Sequence, residues 1–359
     1  MKSCFAMGCG RVVALAMTLS FSLAAPGWAA HPGAVAVPEY AVSQHFAPGG
    51  GGGWDYLTVD AAARRVYVSR GTRVQVLDAD TGALIGEIAD TPGVHGIAVA
   101  PQLHRGFTSN GRDSTVTVFD TRTLATIARV HLNAANPDEI RYDPESHRVF
   151  TFNGRSHDAT VIDAATDSIV GTIVLGGAPE ASVVDGEGHL YVDLEDQNQV
   201  VAIDTKTMAV TARWPTAPGA EPSGLAIDTA HHRLFVNCGN GQMVVLDANT
   251  GRHVAAVPIG QREDGAAFDP ALGLAFSPNG EGTLTIVREV SPDSFAVAAT
   301  LPTQRGARTI ALDTKTHRLY SPAAEYGPPP EATTEHPHPR GSMVPESFRV
   351  LVMEPVGKR

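Results

Sequence analysis

The sequence predicts an all-β chain folded as a seven-bladed β-propeller of four-stranded antiparallel blades. Three observations predict it. One strand-turn-strand phrase occurs seven times, its copies keep a spacing of about 42 residues, and the strands alternate with a period of two. The phrase is a short apolar strand ending in Asp, a turn, a basic residue and a strand carrying an aromatic. It reads LTVDAAARRVYV from Leu57, IRYDPESHRVFTF from Ile140, LAIDTAHHRLFVN from Leu225 and IALDTKTHRLYS from Ile310. Weaker copies start at Ile97, Ser182 and Ala266, and the anchors Asp60, Ala100, Asp143, Asp185, Asp228, Asp269 and Asp313 lie 40, 43, 42, 43, 41 and 44 residues apart.

Each copy runs into a third strand and an Asp turn, as in VQVLDADTG from Val74, VTVFDTRT from Val116 and MVVLDANTG from Met243. A fourth strand follows, such as ALIGEIA from Ala83. Four short strands per unit describe a propeller blade, whereas helical solenoids of this period would show apolar residues at 3.6 spacing. The seventh unit has strands starting at Ile310 and Leu319 and a third, FRVLVM, at 348–353. Its outer strand is expected from YAVSQHF, 40–46, so that the N-terminal strand closes the last blade and leaves no open sheet edge in the ring.

Residues 1–30 read as a secretory signal. Lys2 and Arg11 bring positive charge, 12–25 is apolar apart from Thr18, Ser20 and Ser22, and small residues precede a cleavage point after Ala29 or Ala30. The apolar run of about fourteen residues is short of the roughly twenty a spanning helix needs. The expectation is a periplasmic or secreted chain with no membrane span after signal removal, in which 31–359 is one propeller domain and a monomer. Cys4 and Cys9 leave with the signal, so Cys238 has no internal disulfide partner. The formal charge is -11, with 38 acidic against 27 basic residues, and signal removal makes it more negative. Sequence-independent nucleic-acid binding rests on Lys and Arg neutralising phosphates, so no nucleic acid is expected as a partner.

The phrases VYVSR, VFTFN and LFVN, with the VxVxD strands and TG turns after them, resemble the YVTN-repeat family, the YncE-like periplasmic propellers. The resemblance covers 40–354 and implies a periplasmic seven-bladed fold. The repeats are also similar to the propellers of lactonases, haem d1 reductases and amine dehydrogenase subunits, and the motifs specify blades without specifying chemistry.

The register makes a site legible. The residue five before each anchor enters the innermost strand at one face, which places Asp55, His95, Asp138, Glu180, Ser223, Asp264 and Arg308 in a ring around the channel mouth. Trp54, Tyr56, Glu139, Glu221, Arg262, Glu263 and Arg305 are its neighbours. The ligand-binding set is Asp55, His95, Asp138, Glu139, Glu180, Asp264 and Arg308. Carboxylates suit a divalent cation such as Ca²⁺ or Mg²⁺, and His95 extends the choice to transition metals. A catalytic alternative takes His95, Glu139, Glu180 and Arg308 as base, acid and oxyanion partner of a lactonase-like hydrolase or isomerase. A hydrated polar rim with no ligand is the third reading.

The partner is thus a small ligand or a protein, and a subunit that docks onto a periplasmic redox enzyme is a further alternative. The chain has no nucleophile elbow, P-loop, dinucleotide fingerprint or covalent haem motif. The Asn residues ending second strands, Asn110, Asn153, Asn237 and Asn279, read as turn formers. The anchor and LDADTG-type aspartates read as turn caps on the opposite face. Two segments depart from the period: the glycine run 49–53, expected to be a flexible connection, and a proline-rich insert at 324–346 carrying His336 and His338, expected beside Arg308.

Overall fold

Alternating β-branched strands cannot bury two faces alone, and here they do so by stacking blade against blade. The computed structural model describes residues 37–331 and 341–357; the segment 1–30, read above as a secretory signal, and His336 and His338 lie outside the described residues. Among the described residues, twenty-eight strands form seven four-stranded antiparallel sheets with almost no helix. Six blades are sequential in the chain, at 57–88, 94–131, 137–174, 179–215, 222–258 and 267–302. The seventh takes Ala311–Asp313, Arg318–Ala323 and Arg349–Val356, and its outermost strand is Glu39–Phe46. That strand pairs from Glu39 opposite Val356 to Phe46 opposite Val350, with a bulge between Val42 and Gln44. Tyr40 and Phe46 are buried and pack on Phe276 and Tyr320, so the closure is a core feature as well as a backbone ladder.

Apolar clusters fill the spaces between neighbouring blades: one joins Phe107 and Val118 to Ile140 and Val149, another Phe150 and Val161 to Leu190 and Val201. The basic residue of the repeat has a structural use that its periodicity foreshadowed. Arg65, Arg105, Arg148 and Arg233 each reach into the next blade and donate to a turn carbonyl, at Thr121, Ala164, Thr205 and Pro292 respectively. The anchor aspartates cap their own turns, as where Asp60 Oδ1 accepts from the Ala62 and Ala63 amides at 3.1 and 2.9 Å. In the third-strand turns, hydrogen bonds from the Thr81 hydroxyl and amide hold the Asp78 carboxyl below the usual range, so these acids are ionised turn elements.

Two expectations are corrected. The Asn residues at second-strand ends are not turn formers: Asn110 is fully buried and donates to Thr115 and Thr117 at 3.0 and 2.9 Å, and Asn279 does the same to Thr283 and Thr285. A buried amide needs partners, so Asn110, Asn153 and Asn279 tie the second strand to the third, while Asn237 donates to the Gly265 carbonyl of the next blade at 2.8 Å. The glycine run is also anchored. Arg70, Arg73 and Gln75 donate to the carbonyls of Gly50, Gly51 and Gly49, and at Gly52, with φ of 108°, a Cβ would meet the Arg70 carbonyl at 2.7 Å. The described ends of the insert pair with each other at an isolated bridge, Tyr326 opposite Met343.

Candidate site at the channel mouth

The first strands of the blades line a polar cavity of about 330 Å³. Small residues let these strands come close: a Cβ on Gly224 would lie 2.5 Å from the Gly265 carbonyl carbon of the next blade. Into the space left by glycine and alanine project Tyr56, Glu139 and Arg141. At the mouth above them the structure brings together Asp55, His95 and Asp138 from three successive blades. His95 Nδ1 lies 2.6 Å from Asp55 Oδ2 and 3.3 Å from Asp138 Oδ1.

The remaining oxygens of the two carboxylates are held from behind. Arg308 donates to Asp55 Oδ1 at 3.4 Å and to Asp264 at 2.5 Å, while its guanidinium stands 5.2 Å from the Trp54 ring centre. Asn136 donates to Asp138 Oδ2 at 3.3 Å, and the Asp55 backbone is pinned by Ser69 and Thr309 hydroxyls. Each aspartate therefore turns one oxygen outward to a fixed donor and one inward to the point shared with His95. Asp138 Oδ1 accepts no hydrogen bond, although it is buried. One ring nitrogen carries at most one proton, and Asp55 at the shorter distance takes it.

The other ring members are sorted differently. Glu180 accepts from the Tyr56 hydroxyl across the mouth at 3.0 Å. Glu139 is turned into the channel, paired with Arg141 and accepting from Ser182 at 3.1 Å. Ser223 donates to Glu263. Among the described residues, no hydrogen bond or ion pair joins any two of His95, Glu139, Glu180 and Arg308. His95 and Arg308 meet only through Asp55, while Glu139 is held by Arg141 and Ser182 and Glu180 by Tyr56, so the members of the catalytic alternative do not converge on one point.

Burial dominates the electrostatics. It pushes Asp138 up to about 7 against the pull of His95, Asp264 up to about 6 against that of Arg308, and Glu180 well above the carboxylate range, with Asp138 and Asp264 adding repulsion. For His95, burial disfavours the cation, but the Asp55 hydrogen bond and the Asp138 charge outweigh it and the pKa rises. The mouth is a largely buried cluster of acids short of positive charge.

Three participants escaped the sequence reading. Asn136 lies outside the seven-fold register, in a connecting loop. Asp193 is fully buried, with Oδ1 accepting from the Ala181 amide and Oδ2 unpartnered; an acid inside the apolar strand LYVDL was its signal. Arg141 sits two before its anchor, where the other blades carry Thr58, Ala98, Val183, Ala226, Ala267 and Ala311, so a lone charge in that register marked it.

Fold and mouth together define a seven-bladed propeller with an acidic channel entrance. Neither a protein-family model nor a curated protein matches the chain. Among solved structures the chain is similar to hydrazine synthase from Kuenenia stuttgartiensis, at 16% identity and a TM-score of 0.66, covering 76% of this chain and 93% of that one. It is also similar to a chain of a mitotic checkpoint complex, at 16% identity and a TM-score of 0.71, covering 94% and 98%. These likenesses show the propeller fold. No helix among the described residues is long and apolar enough to cross a membrane.

Proposed function

We propose that the chain is an exported, YncE-like propeller of the YVTN-repeat kind that binds a divalent cation at the channel mouth through Asp55, His95 and Asp138. One observation carries the reading: Asp55, His95 and Asp138 each offer a ligand atom within 4.8 Å of the others, His95 Nδ1 lying 2.6 Å from Asp55 Oδ2 and 3.3 Å from Asp138 Oδ1, while Arg308 and Asn136 hold the opposite carboxylate oxygens. Metal–ligand bonds of roughly 2.0–2.2 Å put neighbouring donor atoms about 3 Å apart, and fixed outer oxygens are how outer-shell partners orient ligands. A bound cation would replace the proton now shared between His95 and Asp55 and would neutralise the crowded acids. Two carboxylates and one imidazole favour Zn²⁺, Mn²⁺ or a similar ion over Ca²⁺. The three side chains keep 16 to 28% of their surface exposed, which leaves an approach for a ligand or a partner's side chain as a further donor.

Isothermal titration of the full-length processed protein with Zn²⁺, Mn²⁺ and Ca²⁺ tests this. Asp138→Asn keeps the hydrogen bond from Asn136 and removes the charge, and the expected outcome is affinity for the preferred metal about tenfold weaker or worse. Equal binding isotherms for wild type and Asp138→Asn would rule out the mouth as the metal site. Export is tested by cell fractionation with sequencing of the mature terminus, expected to start after Ala29 or Ala30.

A further inference from the structure

At the opposite end of the propeller, where first and third strands end in turns, a second constellation joins blades five and six. Asp228 closes the strand Pro222–Asp228, His231 lies in the turn after it, and Glu289 belongs to Thr283–Ser291 of the next blade. We infer that Asp228, His231 and Glu289 form a second divalent-cation site, independent of the mouth, suited to a transition metal such as Zn²⁺.

The donor atoms are arranged as at the mouth. His231 Nδ1 lies 2.6 Å from Asp228 Oδ2 and 3.0 Å from Glu289 Oε1, and each of the three residues offers a ligand atom within 4.8 Å of the other two. Asp228 Oδ1 is occupied by the Ala230 amide at 3.0 Å, so Oδ2 is the oxygen turned to the shared point. The imidazole nitrogen has one proton at most, and the Asp228 contact is the hydrogen bond. Glu289 Oε1 accepts none, although its side chain is only 4% exposed. A buried carboxylate oxygen left without a donor is costly, and a cation at the shared point satisfies it together with the other two atoms.

The frame around these ligands is rigid. Arg233 donates to the His231 and His232 carbonyls at 2.9 and 3.1 Å and to the Pro292 carbonyl at 2.6 Å, which locks the His231 turn of blade five to the hairpin following Glu289. The guanidinium is itself neutralised by Asp247 and Asp293. His231 is half exposed, giving an entry path and room for water ligands. A nitrogen with two carboxylate oxygens and open positions is a Zn²⁺-type donor set and a poor match for Mg²⁺, which prefers oxygen alone. A cation here would clamp two adjacent blades at the end remote from the mouth.

The same turn aspartate in other blades lacks the third donor. Asp60 and Asp143 serve only amides of their own turns, and Asp269, with His317, has no second carboxylate placed on the imidazole. The site is therefore a local departure from the repeat.

Equilibrium dialysis of the full-length protein against Zn²⁺, with Mg²⁺ as control, reads this site alone once the mouth is silenced. In an Asp138→Asn background, one Zn²⁺ equivalent should remain, and adding His231→Ala or Glu289→Gln should weaken it about tenfold or more. Loss of the mouth equivalent alone bears on the mouth reading and leaves this one standing. Because His231 is half exposed, its alanine variant keeps the fold even if the buried Glu289 variant does not. Unchanged Zn²⁺ retention in Asp138→Asn/His231→Ala, or equal retention of Mg²⁺, would overturn the inference.

Discussion

The Tyr56 hydroxyl donates to Glu180 at 3.0 Å, joining the entrances of blade one and blade four, which face each other across the channel. Burial and the Glu180 charge push the Tyr56 hydroxyl well above its ordinary pKa, so it stays a donor at all working pH. Tyr56→Phe removes the donor and leaves Glu180 buried without one. The expected loss is about 1–3 kcal/mol of stability, read from urea unfolding.

Closure of the ring by Glu39–Phe46 makes a second prediction. Deleting residues 37–46 removes a whole strand ladder and the buried Tyr40 and Phe46 rings, and exposes Arg349–Val356 as a sheet edge. The melting temperature should fall and aggregation on heating should rise. Tyr40→Ala alone should cost about 3–5 kcal/mol as a core aromatic truncation. An unchanged melting temperature in the deletion would show that the closure adds nothing to stability.

The acids beneath the mouth set the pH dependence. Burial pushes Glu263 up to about 7, against the opposing hydrogen bonds from its own backbone and from Ser223. The folded state then holds a proton that the unfolded chain has already lost above its ordinary value near 4.5. Stability falls as pH rises from about 4.5 to 7 and is flat, for this group, beyond that. Glu263→Gln should therefore be more stable than wild type at pH 8, by about 3 kcal/mol at most, and close to it at pH 4. Thermal unfolding across that range measures the convergence; parallel curves would refute the assignment.

The buried amides of the blade seams make a fourth case. Asn110→Ala strips partners from Thr108, Thr115 and Thr117 at once, and the expected cost is about 1–3 kcal/mol. Asn110→Asp should be worse, because it adds a buried charge. Denaturant midpoints of the two variants order them.

How much was legible depended on whether the physics was periodic. Strand count, blade boundaries and the closure by 40–46 follow from alternation and spacing, because a blade can bury its faces only by repeating. The ring of Asp55, His95, Asp138, Glu180, Asp264 and Arg308 followed from the same register, which assigns an end of the channel to each residue. The register gives no side-chain direction. Glu139, one residue from Asp138, turns into the channel to Arg141, and Asn136 enters from a loop of no fixed period.

The sequence by itself determined the architecture: seven units, their order, the strand borrowed from the N-terminal end, and which residues share a mouth. Only the tertiary structure decided which acids pair and which stay short of partners. Arg308 is committed to Asp264 and Asp55, Glu180 to Tyr56, and Asp138 keeps one oxygen beside His95. It also singled out Asp228, one of seven equivalent anchors, by bringing Glu289 from the next blade against His231. The reason is one of range: alternation and turn chemistry act within a few residues, whereas these contacts close over tens to hundreds of residues and depend on how neighbouring blades are packed.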